Sequence, residues 1–119
     1  MGVVYHTHYL DYFEAARTEA LRELGVVYRE LEESGVIMPV INASINYHRP
    51  AYYDDQLQIV TTFEQLPQVR VPIDYEVYRE GTERALVTGQ VTLCFVDATT
   101  RRPTSPPEHV SRVFEKAFA

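Results

Sequence analysis

Apolar residues recur every three or four positions near the start of the chain. Between about residues 8 and 24 they form one stripe, made up of Tyr9, Phe13, Ala16, Ala20 and Leu24. This period is typical of an amphipathic helix that buries one face. Thr7 is the expected N-cap and Gly25 the expected residue just after the last turn. Glu14 and Arg17 fall on the opposite, charged face, where we interpret them as an i, i+3 pair or as interface contacts.

From Val36 onward the apolar residues alternate with polar ones, which predicts strands over residues 36–47, 57–65, 69–78 and 84–96. Glu80–Thr82 is the expected hairpin between the last two strands, and Pro39, which lacks an N–H, predicts an edge or a bulge. Shorter helices are predicted at 28–33 and 108–118. A long helix followed by an antiparallel meander belongs to the α+β class, and long uncovered strand edges predict a homodimer.

Composition narrows the class of protein. With 119 residues the chain is expected to form one domain, 1–119. Seventeen acidic against eleven basic residues give a net charge of -6, which argues against nucleic-acid binding. No apolar run is long enough for a membrane span. The single cysteine, Cys94, cannot form an internal disulfide, so the cytoplasm is the expected compartment.

Several kinds of reactive site are absent from the sequence. There is no Gly-x-Ser-x-Gly elbow, and Cys94 lies in the middle of a predicted strand with no nearby histidine. His6 and His8 are the only closely spaced histidines, and they do not have the spacing of a metal site. We therefore expect no covalent acyl-enzyme chemistry and no metal.

The segment Gly2–Tyr9 leads directly into the N-terminus of the long predicted helix. Unpaired N–H groups and the positive end of the helix dipole meet there, so a carbonyl oxygen could be polarised without a cationic side chain. His6 is the neighbouring side chain that titrates near neutrality. The alternative is that His6 and Tyr5 only pack under the helix and cap it.

The same segment carries a family resemblance. Its residues are Val3-Val4-Tyr5-His6, Tyr9, Phe13-Glu14 and Ala16-Arg17-Thr18-Glu19, and the pattern continues through Tyr47, Pro50-Ala51, Asp54-Asp55, Val96-Asp97 and Arg102-Pro103. It resembles hotdog-fold acyl-CoA thioesterases of the 4-hydroxybenzoyl-CoA thioesterase-like and tol-pal-associated group. The resemblance implies an antiparallel sheet wrapped around one central helix and covers essentially the whole chain.

The resemblance also implies an activity: water hydrolyses an acyl-CoA thioester to the free acid and CoA, with no metal or organic cofactor. His6 is the implied catalytic residue, because its backbone N–H polarises the thioester carbonyl and its side chain lies beside the thioester. Val4, Tyr5, Thr7 and Tyr9 are the implied substrate-binding residues near it. The implied assembly is a homo-oligomer, at least a dimer and by resemblance a homotetramer, with sites between subunits.

CoA phosphates need cations, and we expect Arg101 and Arg102 to supply them. The alternative is that both are solvated turn charges.

One part of the family pattern is missing. The resemblance implies a catalytic Asp two residues before the position of Met1 and a first strand leading into it, and the sequence contains neither. We expect the true start to lie upstream. A deliberate truncation, a protein that only binds acyl-CoA, and a substitute carboxylate from Asp11 or Glu14 are the alternatives. A hotdog hydratase or dehydratase is a rival from another enzyme class.

Overall fold

The computed structural model describes residues 6–52, 54–63 and 65–118, and for residues 6 and 7 it describes the helical backbone alone. The helices are α1 (His6–Leu24), α2 (Tyr28–Glu33) and α3 (Glu108–Phe118). The strands are β1 (Val36–Ile37), β2 (Val40–Tyr47), β3 (Leu57–Thr62), β4 (Arg70–Arg79), β5 (Ala85–Cys94) and β6 (Val96–Asp97). The predicted α+β class is confirmed.

The four long strands form one antiparallel sheet in the order β2-β5-β4-β3. Only β3, β4 and β5 therefore make a meander, and the prediction of a four-strand meander was wrong for β2. That strand pairs with β5, so the chain crosses from one edge of the sheet to the other between β2 and β3. The alternation of apolar and polar residues predicts a strand, but it does not predict which other strand pairs with it. Among the described residues, β2 and β3 are the free edges.

Two of the predicted strands are each divided in the structure. The first breaks at Met38–Pro39, and the last breaks at Phe95. The short pieces, β1 and β6, pair with each other as a separate antiparallel ladder. Pro39 still contributes its carbonyl, which accepts a hydrogen bond from the Cys94 N–H at 3.1 Å. The expectation of an irregularity at Pro39 is confirmed.

Helix α1 lies on the apolar face of the sheet. The inward residues of β4, which are Val71, Ile73, Tyr75 and Val77, are almost completely buried, as the alternation predicted. Phe13 of α1 stacks on Tyr75 at a centroid distance of 4.3 Å. Gly89 is the partner of Tyr75 on β5 and leaves room for the Phe13 ring.

The buried stripe of α1 differs from the prediction. Tyr9, Phe13, Arg17 and Leu21 are the buried residues, each four positions after the last, while Ala16, Ala20 and Leu24 are only partly buried. Arg17, expected on the charged face, is 9% exposed. Because arginine is charged, a hydrophobic pattern assigns Arg17 to the polar face of the helix. Its spacing of four residues from the buried Phe13 instead puts it on the buried face. Thr7 lies within α1 and is not an N-cap.

The terminal helix α3 covers the end of the core. Val110 and Phe114 are buried, and Phe114 contacts Phe63 with ring centroids 5.7 Å apart. Val113 approaches Gly25, which follows α1 with a φ of 102°. None of the described helices is long and apolar enough to cross a membrane.

Candidate active site

The first turn of α1 is the centre of the predicted site. The helix is described from His6, and the N–H groups of a first helical turn have no acceptor within the helix. The side chains of His6 and Thr7, and the whole of Val4 and Tyr5, lie outside the described residues. The roles expected for these four residues therefore stay predictions.

Tyr9, one turn further along α1, anchors a group of tyrosines at this end of the helix. Its side chain is buried, and its ring meets those of Tyr12 and Tyr47 edge to face, both at 5.8 Å. Tyr47 is the last residue of β2. The predicted role of Tyr9 as part of an acyl pocket agrees with this position and stays a prediction.

Asp55 places a carboxylate at the same end of the molecule. The Tyr52 N–H donates to its Oδ2 at 2.8 Å, and Arg79 Nε lies 3.2 Å from the same oxygen. The hydrogen bond from Tyr52 and then the Arg79 interactions lower the pKa of Asp55. Sequence analysis gave Asp55 no chemical role, although the segment following Pro50-Ala51 was part of the resemblance.

The environment of Tyr9 disfavours its ionised form. Burial is the main cause of its raised pKa, followed by Tyr12, Tyr47 and the negative charge of Asp55. The neutral form of the Tyr9 phenol is therefore favoured.

Arg101 and Arg102 lie in a tight turn after β6. Asp97 Oδ1 accepts the N–H groups of Thr99 and Thr100, each at 2.8 Å. Arg101 has a φ of 65°, a left-handed backbone conformation that residues other than glycine rarely adopt. Both arginine side chains are exposed, and their guanidinium groups have no ion pair among the described residues.

The structure does not bring these arginines to Tyr9 within one chain. Val87 of β5 pairs with Tyr47, whereas Cys94 at the other end of β5 precedes β6 and the arginine turn. The seven residue steps from Val87 to Cys94 span roughly 24 Å of strand. The predicted CoA contacts of Arg101 and Arg102 stay predictions, and they require an extended ligand or a second subunit.

Arg17 is a buried residue whose position was not predicted. It forms no ion pair with Glu14 among the described residues, although an i, i+3 pair was expected. Its charge acts on two tyrosines, Tyr28 and Tyr75, where it opposes the rise in pKa that burial causes. The four-residue spacing from Phe13 was the signal that could have located it.

No metal site is found among the described side chains. Within this part of the chain, no group of three His, Cys, Asp or Glu residues is placed to hold an ion. His48 instead shares a hydrogen bond with Thr88, with Nε2 and Oγ1 3.0 Å apart.

A single long helix lying on an antiparallel sheet is the architecture of the hotdog fold, the class to which this structure belongs. The chain belongs to the thioesterase-like superfamily, whose sequence model matches residues 1–114.

Individual relatives agree with this assignment. The chain is 30% identical to a putative acyl-CoA thioesterase, YneP, from Bacillus subtilis over 99% of its own length and 79% of that protein. It is 32% identical to the acyl-CoA thioesterase YbgC from Haemophilus influenzae, with coverages of 95% and 82%. It spans a smaller share, 58% to 64%, of three other curated relatives.

A solved structure supports the fold. The chain superposes on a DHNA-CoA thioesterase from Staphylococcus aureus with a TM-score of 0.85 and 29% identity, covering 99% of this chain and 82% of that one. The predicted family, hotdog fold and enzyme class are confirmed by these matches.

Proposed function

We propose that this protein hydrolyses an acyl-CoA thioester to the free acid and CoA. Water adds to the thioester carbonyl carbon, the C–S bond breaks, and the CoA thiolate leaves and takes up a proton. The carbonyl oxygen, which becomes negative during the addition, is bound by the N–H groups at the start of α1. The observation that carries this proposal is the position of the Gly2–Tyr9 motif, whose second half forms the first turn of α1.

The tyrosine group supports the same orientation of the substrate. Tyr9, Tyr12 and Tyr47 lie beside the first turn of α1, so an acyl chain in contact with them would leave its carbonyl next to the helix start. We propose that no metal or organic cofactor takes part, since water and the helix N-terminus supply the chemistry. The unpaired thiol of Cys94 and the CoA substrate support a cytoplasmic location.

We also propose that the working unit is a homo-oligomer built on β2. This edge strand carries exposed apolar side chains along its length, with Val40, Ile41 and Tyr47 each about half exposed. An apolar edge with unpaired backbone groups is a template for a second strand, and a second copy supplies an identical one. By resemblance, two such dimers form the tetramer.

The direct test is thiol release from a panel of aliphatic, branched and aromatic acyl-CoAs. It uses this chain and a version extended at its start so that an Asp lies two residues before Met1. Thiol release by either protein supports hydrolysis. Binding of acyl-CoA without thiol release by both would overturn hydrolysis in favour of a binding module. Loss of the crotonyl-CoA enone absorbance without thiol release would indicate a hydratase.

A further inference from the structure

The loop that joins β2 to β3, which we call the crossover loop, starts where β2 ends at the tyrosine group. It runs from His48 to Gln56, and all of it except residue 53 is described. The N–H of His48 donates to the Leu86 carbonyl of β5 at 2.9 Å, and the Gln56 carbonyl accepts the Glu80 N–H at 2.8 Å. Backbone hydrogen bonds therefore hold the loop at both of its ends.

Arg79, the last residue of β4, holds the loop between those ends. Its Nε lies 3.2 Å from Asp55 Oδ2, and its Nη2 donates to the Pro50 carbonyl at 3.3 Å. The same carboxylate oxygen accepts the Tyr52 N–H at 2.8 Å, and the Asp55 N–H donates to the Tyr52 carbonyl at 2.9 Å. Arg79 thus ties a closed turn of the crossover loop to the sheet.

The crossover loop packs against the tyrosine group. Ala51, which follows Pro50, is 1% exposed and belongs to the same buried cluster as Tyr9. Asp55 is near enough for its negative charge to contribute to the raised pKa of Tyr9. The position of the loop therefore sets how closely Ala51 and Asp55 approach Tyr9.

The ion pair of Arg79 and Asp55 is expected to contribute little to overall stability. Their side chains are 38% and 18% exposed, and ion pairs in contact with solvent are worth little free energy. The burial of Ala51 and the backbone hydrogen bonds at the loop ends do not depend on the pair. Its main effect is therefore on where the loop lies.

We propose that Arg79 is a positioning residue for the acyl pocket: by holding the Pro50 carbonyl and the Asp55 carboxylate, it keeps the crossover loop against Tyr9 and limits the length of the acyl chain that fits there. This inference rests on the proposed thioesterase function and on the acyl pocket proposed at the tyrosine group. Arg79 acts through the loop, so it changes the choice of acyl group and leaves the polarisation of the thioester to the helix start.

The first measurement is kcat/KM of Arg79→Met over straight-chain substrates from acetyl-CoA to dodecanoyl-CoA. A released loop admits longer chains, so discrimination between the preferred acyl group and longer ones should fall about ten-fold. The urea midpoint should change little. Arg79→Lys, which keeps a cation but not the planar fork, should restore part of the discrimination. An unchanged acyl preference in Arg79→Met overturns the proposal, and a lower urea midpoint beside it would make the ion pair purely structural.

The second measurement removes the other partner with Asp55→Ala. Because both residues act on one loop, the double variant should lose less discrimination than the product of the two separate effects, and fully independent effects overturn the proposal. Asp54→Ala is the control within the loop, since Asp54 is exposed and forms no ion pair among the described residues. Arg112→Met, which breaks an exposed ion pair on α3, is the control for loss of an arginine. Both controls should keep the wild-type preference.

A variant that does not fold is replaced by a milder one. Arg79→Gln and Asp55→Asn then take the place of Arg79→Met and Asp55→Ala, because their amides keep a hydrogen-bonding group at each position. Failure of these variants to fold as well would make the pair a requirement for folding and overturn the proposal.

A truncated substrate shows at which end Arg79 acts. The series is repeated with N-acetylcysteamine thioesters, which lack the nucleotide and most of the pantetheine arm. The loss of discrimination should persist, and a loss confined to acyl-CoA would assign Arg79 to the CoA end and overturn the proposal. A wild-type protein that binds acyl-CoA without thiol release contradicts the proposed function itself. Dissociation constants over the same series then test the inference, and an unchanged preference in Arg79→Met still overturns it.

Discussion

Phe13 lies flat against Tyr75, with their rings 4.3 Å apart and inclined by only 10°. Both side chains are completely buried, so this stack fixes the position of α1 on the sheet. The pair lies between the tyrosine group at the helix start and Arg17 one turn further on. The place of the helix N-terminus above the sheet therefore depends on this contact.

Gly89 is required by the same contact. A Cβ at residue 89 would lie 2.6 Å from the Phe13 ring and 3.2 Å from the Ser44 carbonyl oxygen. Because the ring is clamped by Tyr75, it cannot move aside, and we expect Gly89→Ala to lower the free energy of unfolding by about 1 to 3 kcal/mol. Urea unfolding measures this. The control is the same change in a Phe13→Leu background, where the smaller side chain should remove most of the cost; an equal cost in both backgrounds would contradict the proposed clash.

The ionisation of Tyr75 predicts a loss of stability in alkali. Burial raises its pKa from 10.0 to about 12, although Arg17 opposes the rise. A folded-state pKa above the unfolded value means that the protonated phenol stabilises the fold below pH 10. This stabilisation is lost as the pH rises towards 12, by roughly 2 to 3 kcal/mol in total. Tyr9 and Tyr28, whose pKa values are also raised, act in the same direction.

Urea unfolding between pH 8 and 11.5 measures this loss. Tyr75→Phe should flatten the decline, because it removes the buried group that titrates. Tyr52→Phe, at an exposed tyrosine, is the control and should leave the slope unchanged. If the stability of Tyr75→Phe falls with pH as steeply as that of the wild type, Tyr75 is not the cause of the loss.

The sequence predicted those strands in which the alternation of apolar and polar residues matches the alternation of buried and exposed side chains. Val71 to Val77 of β4 lie between two neighbouring strands and under α1, so their inward positions are all buried. Burial does not follow the same period on β2, where Ile41 and Tyr47 are about half exposed. β2 is an edge strand with a hydrogen-bonded neighbour on one side only, whereas β4 has one on each side.

The family was predicted from the order of residues near Tyr9 and is confirmed, whereas the location of the site stays a prediction. Tyr12 and Tyr47, which contact Tyr9, were not predicted to belong to the site. The burial of Arg17 was not predicted, because an arginine among glutamates suggests exposure to solvent, and because its neighbour Tyr75 lies far away in sequence. The separation of Arg101 from Tyr9 also could not be foreseen, since it depends on β5 running from one end of the sheet to the other.

A charged residue introduced on the exposed edge strand β2 should prevent the protein from forming oligomers. Ile41 is 48% exposed on β2, the strand of the proposed interface, so Ile41→Lys should convert dimers or tetramers to monomers in sedimentation velocity. Val60→Lys is the matched control, because Val60 is 37% exposed on the opposite edge strand, and it should not change the oligomeric state. An Ile41→Lys protein that still sediments as wild type would place the interface elsewhere.

Arg101 and Arg102 are predicted to act on the CoA end of the substrate alone. Replacing both by Ala should raise KM about ten-fold for acyl-CoA, through loss of charge-assisted hydrogen bonds to phosphate, and leave kcat unchanged. The N-acetylcysteamine thioester, which has no phosphates, should show no change in KM. Arg84→Ala, at an exposed arginine in the β4–β5 hairpin, is the control. An equal rise in KM on both substrates would contradict phosphate binding and would indicate that both arginines are solvated charges of the turn.

A substitution of His6 tests whether its side chain takes part in the reaction or only packs against the helix. If its side chain lies beside the thioester, His6→Ala should lower kcat by about a hundred-fold in whichever form of the chain releases thiol. The urea midpoint should change little, because α1 is held by Phe13 and Leu21 further along the helix. His109→Ala, at an exposed histidine of α3, controls for the loss of an imidazole elsewhere. Unchanged turnover with a lower urea midpoint would make His6 a packing residue, and the polarising role would then rest on the backbone of the first helical turn.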